Sequence, residues 1–173
     1  MITRLTGLPL RERSTEWVGC LPMGSCLACD LSEGRRPLPG GTIDQTDRWL
    51  VEHTIGPLGV GTLIVKPKRH VVHVADLTEK EAKELGPLLR RIAALVTKLV
   101  RPEQVYVTLW SHADAEPGHI HWVVQPVTRD QMNEFDDHGP HLQVKMFERG
   151  DAPDGAAVER FADAARTELV TAP

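Results

Sequence analysis

Two cysteines three positions apart, Cys26 and Cys29 in "SCLACDLSEG", are the first residues of this chain whose spacing could do chemistry. A C-x-x-C is either a redox pair or half of a metal site. A redox pair sits at a helix start behind a buried strand, and no strand pattern precedes Cys26. Cys20 makes the cysteine count three, and an odd count with no repeated spacing argues against a disulfide framework. Metal is the better reading, and it needs further ligands. The segment "KPKRHVVHV" offers His70 and His73, and "EPGHIHWVVQP" offers His119 and His121. Residues two apart in a strand point to one face. His119 and His121 therefore share a face with Val123 and Gln125, while Ile120, Trp122 and Val124 form the other. The second face reads as core, the first as chemistry or water. Cys26, Cys29, His70 and His119 would make a Cys₂His₂ set suited to zinc, which takes four N or S ligands from scattered positions if the fold brings them together.

Other polar candidates weigh less. His73 reads as a surface residue beside a ligand, His138 and His141 as part of a solvated turn, and the arginines of "EGRRP" as solvated. Trp49 and Trp110 read as core or pocket wall.

Positioning such a set requires strands and at least one helix. "TIDQTD" (42–47), "RWLVEHTI" (48–55) and "VGTLIVKP" (60–67) read as strands, the last uniformly apolar and so central, with a turn at "GPLG" (56–59). Thr78 and Glu81 have capping-box spacing. Behind them Leu85, Leu88, Leu89, Ile92, Leu95, Val96 and Leu99 recur at three- and four-residue steps, predicting a helix over 79–100. Gly86-Pro87 predicts a kink, or a start at Pro87. "EQVYVTLW" (103–110) and "HIHWVVQPV" (119–127) predict an antiparallel pair around a polar loop, 111–118. "LQVKMFE" (142–148) suggests a further strand. Val158, Phe161, Ala162, Ala165 and Leu169 predict a C-terminal helix capped by Asp154. The sum is an α+β protein in which a long helix packs on an antiparallel sheet, in two layers.

The length of 173 residues suits one domain with an appended segment. A hydrophobic fraction of 41% and a charged fraction of 25% are ordinary for a globular chain. A net charge of −4 gives no reason to expect nucleic-acid binding. No apolar run reaches the roughly 18 residues of a membrane span, and Gly7 and Pro9 break up the N-terminus, which does not read as a secretory signal. A cytoplasmic protein is expected.

Taken together, the C-x-x-C, the strand ending in "PKRH", the capped helix and "HIHWVVQP" resemble the histidine-triad superfamily over about residues 26–127. The resemblance implies a histidine-triad-like domain over 26–127, between an arm (1–25) and an extension with a helix (128–173). Zinc-containing members, and the related galactose-1-phosphate uridylyltransferases, ligate zinc with the two cysteines, the histidine after the strand and the first motif histidine. Those positions here are Cys26, Cys29, His70 and His119. The second motif histidine, His121, would then be the nucleophile toward a nucleoside phosphate or dinucleotide, through a covalent nucleotidyl-histidine. Many members dimerise through the helix and an edge strand, so a homodimer is among the implied assemblies.

The departures from the family pattern matter too. Its third histidine is Val123, which cannot donate to phosphate. The loop before the motif is "SHADAEPG", in which Ser111 and His112 are the only donors suited to a substrate, while Asp114 and Glu116 would repel one. Gln125 shares the face of His121, one repeat further on. Two readings follow: a nucleotidyl hydrolase or transferase, and a non-catalytic nucleotide-binding or interaction module with a structural zinc. An open-site zinc hydrolase, with water in place of one ligand, is a third.

Overall fold

The computed structural model describes residues 26–113 and 116–171. The expected arm over 1–25, and the Asp114 of the loop, lie outside them. Five antiparallel strands, β1 (Thr42–Gln45), β2 (Trp49–His53), β3 (Leu63–Pro67), β4 (Gln104–Ala113) and β5 (Glu116–Val127), form one sheet in the order β1-β2-β3-β5-β4. The alternation seen in the sequence sorts their side chains. Trp49, Val51, Leu63, Val65 and Val124 are buried on one face, where Trp49 meets Trp122 edge-on at 5.5 Å.

That face is covered by two helices, α2 (Glu79–Val100) and α5 (Gly155–Thr171). Helix α2 begins where the capping box predicts: the Thr78 hydroxyl accepts from the Glu81 N–H, and the Glu81 carboxylate accepts from the Thr78 N–H. It runs unbroken through Pro87. Leu88, Ile92, Leu95 and Val96 are its buried stripe, and burying each such side chain contributes about 1.5–3 kcal/mol. In α5, Val158, Ala162 and Ala165 are buried, and the Asp154 carboxylate accepts from the Ala157 N–H.

The second face carries helices as well. α3 (Arg129–Phe135) opens on another capping box, Thr128 with Gln131, and α4 (Gly139–Arg149) follows. Leu142 and Met146 of α4 form a second core with Leu58, Val123 and Val127. The segment 142–148 is therefore helix, where strand was expected. The polar loop expected over 111–118 is shorter than that, because β4 continues to Ala113 and β5 begins at Glu116.

Between β2 and β3 the chain turns around a buried histidine. His53 Nδ1 lies 2.8 Å from the Thr54 carbonyl, and its Nε2 accepts from the Gly61 N–H at 2.8 Å. Gly61 has φ +92°, and a Cβ there would stand 3.0 Å from Val100 and 3.3 Å from Phe161, so the turn needs glycine. No helix among the described residues is long and apolar enough to cross a membrane.

Candidate metal centre and its neighbouring histidine

Helix α1 (Leu27–Ser32) carries the cysteine pair, with Cys26 as its first flanking residue. At its far end Arg35 binds the buried Asp30 at 2.6 Å, with Arg36 3.8 Å away, so these arginines are mated rather than simply solvated. The other two candidate ligands come from the sheet. His119 lies on β5, and His70 follows the end of β3. Arg69, next to His70, is bound through both its Nε and Nη2 by the Glu81 carboxylate.

The structure brings Cys26, Cys29, His70 and His119 together, with one ligand atom from each lying within 4.8 Å of all the others. Cys29 Sγ is 3.6 Å from His70 Nδ1 and 3.6 Å from His119 Nδ1. A zinc tetrahedron with Zn–S near 2.3 Å and Zn–N near 2.0–2.1 Å requires S···N separations of about 3.5 Å. One thiol proton cannot serve two imidazoles, whereas a central cation satisfies both and the sulfurs together. The donor set fits zinc in type, number and spacing. Burial and the charge of His70 lower the His119 pKa to about 4, which keeps its imidazole neutral. Burial and the neighbouring Cys26 push the Cys29 thiol up to about 11. A metal entering here displaces protons from sulfur, so its hold weakens as pH falls.

His121 stands two residues beyond His119 on the same face and takes no part in the quartet. Its Nδ1 lies 3.0 Å from the His119 carbonyl. A carbonyl only accepts, so Nδ1 carries the proton and Nε2 keeps its lone pair. Burial lowers the pKa of His121, and the charge of Lys66 lowers it further. Trp110 faces His121 across the strand pair, with Phe147 of α4 5.4 Å from the Trp110 ring. His121 thus sits on the stretch of sheet between α1, which packs at the His119 end of β5, and α4, which covers the Val123 end.

The remaining sequence candidates are placed differently. Gln125 is fully buried beneath α4: its Nε2 donates to the Leu58 carbonyl at 3.2 Å and its Oε1 accepts from Gln143 at 2.9 Å. Its amide is consumed inside the protein and is not available to a substrate. Val123, 1% exposed, is core. The face expected to carry only chemistry or water is therefore closed from Val123 onward. Ser111 is half-buried at an irregularity of the β4–β5 ladder between Trp110 and His112, and His112 is placed through its backbone in β4. His73, His138 and His141 are exposed, as expected.

Sequence reasoning missed the pair Lys66 and Glu52. Both are buried on the His121 face, with Nζ 2.5 Å from Glu52 Oε1 and 2.9 Å from the Ala28 carbonyl. The available signal was a lysine inside the apolar run "TLIVKP" and a glutamate in "WLVEH".

No family model matches the sequence, and no curated protein matches it. Solved structures do. A zinc-bound histidine triad family protein from Mycobacterium smegmatis is similar with TM-score 0.61 and 22% identity, over 86% of this chain and 98% of that one. A hypothetical histidine triad nucleotide-binding protein from Sulfolobus tokodaii has TM-score 0.63 and 14% identity, over 84% and 92%. The diadenosine triphosphate hydrolase of Plasmodium falciparum has TM-score 0.56 and 13% identity, over 75% and 76%. The chain has the histidine-triad fold, and several of its structural neighbours are histidine triad proteins.

Proposed function

We propose that this chain is a zinc-containing histidine-triad protein that acts on nucleoside phosphates or dinucleotides through His121. Nε2 would attack the α-phosphorus in line. An N–P bond forms, the P–O bond to the leaving group breaks, and that oxygen leaves with the electron pair and takes a proton from solvent. Water then attacks phosphorus and gives one proton to solvent, the N–P bond breaks, and a nucleoside monophosphate departs while the imidazole returns to its neutral form. The observation that carries this reading is the hydrogen bond from His121 Nδ1 to the His119 carbonyl, which fixes the tautomer and aims a lone pair away from the backbone. Zinc on Cys26, Cys29, His70 and His119 would be structural, since four protein ligands leave no open position. The metal quartet fixes His119, and through it the strand and carbonyl that hold His121.

A second reading, a nucleotide-binding module without turnover, is favoured by Val123. The third motif position is core beneath α4 and presents no donor to a phosphate. Incubation with a panel of nucleoside phosphates and dinucleotides, followed by intact mass, separates the two. The enzyme reading expects a nucleotidyl adduct that His121→Asn abolishes with the melting transition unchanged. Equal turnover by wild type and His121→Asn would remove His121 from the mechanism. Binding across the panel with neither adduct nor product would establish the module.

A further inference from the structure

We propose that Lys66, held by Glu52, seats the cysteine-bearing helix α1 on the sheet and thereby positions Cys26 and Cys29 for the metal. The proposal rests on the metal reading above and assigns a role to two residues outside the ligand set.

Lys66 on β3 and Glu52 on β2 lie on the same sheet face, with side chains 1% and 4% exposed. Burying two charges is costly before pairing, and replacing such a pair with apolar residues is often neutral or stabilising. Stability alone therefore does not account for it. The pair does one thing that an apolar pair cannot: Lys66 Nζ donates to the carbonyl of Ala28, one of the two residues between the cysteines, in the first turn of α1.

Helix α1 needs such a tie. It has six residues, too few to hold as an isolated helix. Cys26 gives it no side-chain cap. Its apolar grip is slight, because Leu31 is buried but Leu27 is exposed. The Asp30–Arg35 pair joins α1 to the segment that follows it. Lys66 links α1 directly to β3, the strand that leads to His70. Glu52 holds and aims the ammonium, with Nζ 2.5 Å from its carboxylate. The cysteine half and the histidine half of the centre are thus brought into register through one ammonium group. A lysine that positions in this way is a positioning residue; it does not touch the metal.

The test uses the full chain and zinc, with affinity measured by competition against a chromophoric chelator. With both proteins metal-free, the double variant Lys66→Met/Glu52→Leu should show a urea midpoint equal to or above that of wild type, yet it should bind zinc about 10- to 100-fold more weakly, as loss of a group supporting the ligands does. Zinc binding as tight as wild type in the folded double variant would overturn the proposal. If the double variant fails to fold, Glu52→Gln keeps the lysine but removes its counter-charge. It should weaken zinc binding several-fold with circular dichroism unchanged, and unaltered affinity would overturn the proposal equally. A wild type that binds no zinc would sink the metal reading instead. The seating would then be read from alkylation of Cys29 by iodoacetamide, mapped by peptide mass. That rate should rise several-fold in the double variant, and an equal rate in both proteins refutes the seating.

Discussion

Arg69 and Glu81 lock the residue beside a candidate metal ligand to the first turn of the long helix. Arg69 donates to the two Glu81 carboxylate oxygens at 2.7 and 2.8 Å, and the same carboxylate closes the capping box with Thr78. His70 is thereby tied to α2, although it lies 3.6 Å from a cysteine on α1.

The Glu81 carboxyl is held down to about 2 from 4.5, first by its hydrogen bonds to Arg69 and then by those from Thr78. A depressed carboxyl contributes stability that is present above pH 4.5 and is lost as pH falls toward 2. Glu81→Gln should lower stability at pH 7 by up to about 1 kcal/mol through loss of the ion pair with Arg69, since glutamine can still close the capping box. It should also flatten the acid limb relative to wild type, in urea titrations at matched zinc concentration. Parallel limbs in the two proteins would show that the pair does not stabilise the fold.

Cys29→Ser should lower zinc content and melting temperature together, because metal binding of this kind is part of the folding free energy. Metal analysis beside calorimetry reads both. A variant that melts like wild type would remove Cys29 from the metal site.

His53 predicts a second pH effect, nearer neutrality. Burial lowers its pKa from 6.5, and its Nε2 already accepts from Gly61, so protonation would set N–H against N–H. The folded state then binds fewer protons than the unfolded state. Stability is present above pH 6.5 and is lost as pH falls through and below it. Wild type should lose stability between pH 7.5 and 5.5 more steeply than His53→Gln. Identical slopes would assign the effect to another group.

Restoring a histidine at the third motif position should not help. Val123 lies among Leu58, Leu142 and Met146, where an imidazole without a partner costs about 1–3 kcal/mol. Val123→His should lower the denaturation midpoint and leave any turnover no faster than wild type. A stable variant with a raised rate would mean that α4 moves aside.

Ile92→Ala should cost about 2–5 kcal/mol, since Ile92 is fully buried between α2 and the sheet. A loss under about half a kcal/mol in equilibrium unfolding would contradict the packing of that face.

Helix α2 was legible because its signals are local and agree: a capping box, then apolar residues at helical spacing. The face shared by Ile120, Trp122 and Val124 was legible because strand alternation is a two-residue pattern. The metal quartet could be nominated from residue types, but its convergence depends on strand order, which no local pattern encodes. The segment 142–148 misled because Leu142 and Met146 are four apart, a spacing that fits a helix stripe and also every second step of a strand. Gln125 misled because a polar residue in an alternating strand reads as exposed. Its partner Gln143 is eighteen residues away on an element whose type was itself misread. Lys66 and Glu52 were passed over for the same reason, since the partners that account for each charge are distant in sequence.

His121 lies on a floor of sheet whose two walls come from distant stretches of chain, α1 before the first strand and α4 after the last. The proposed nucleophile and the two helices that flank it are therefore written in different parts of the sequence. Grafting the α3–α4 segment of another chain onto this sheet would change one flank of His121 while leaving residues 119–121 untouched. The strand and its flanks can drift independently in such a protein, and the flanks can change without any substitution on the strand that carries His121.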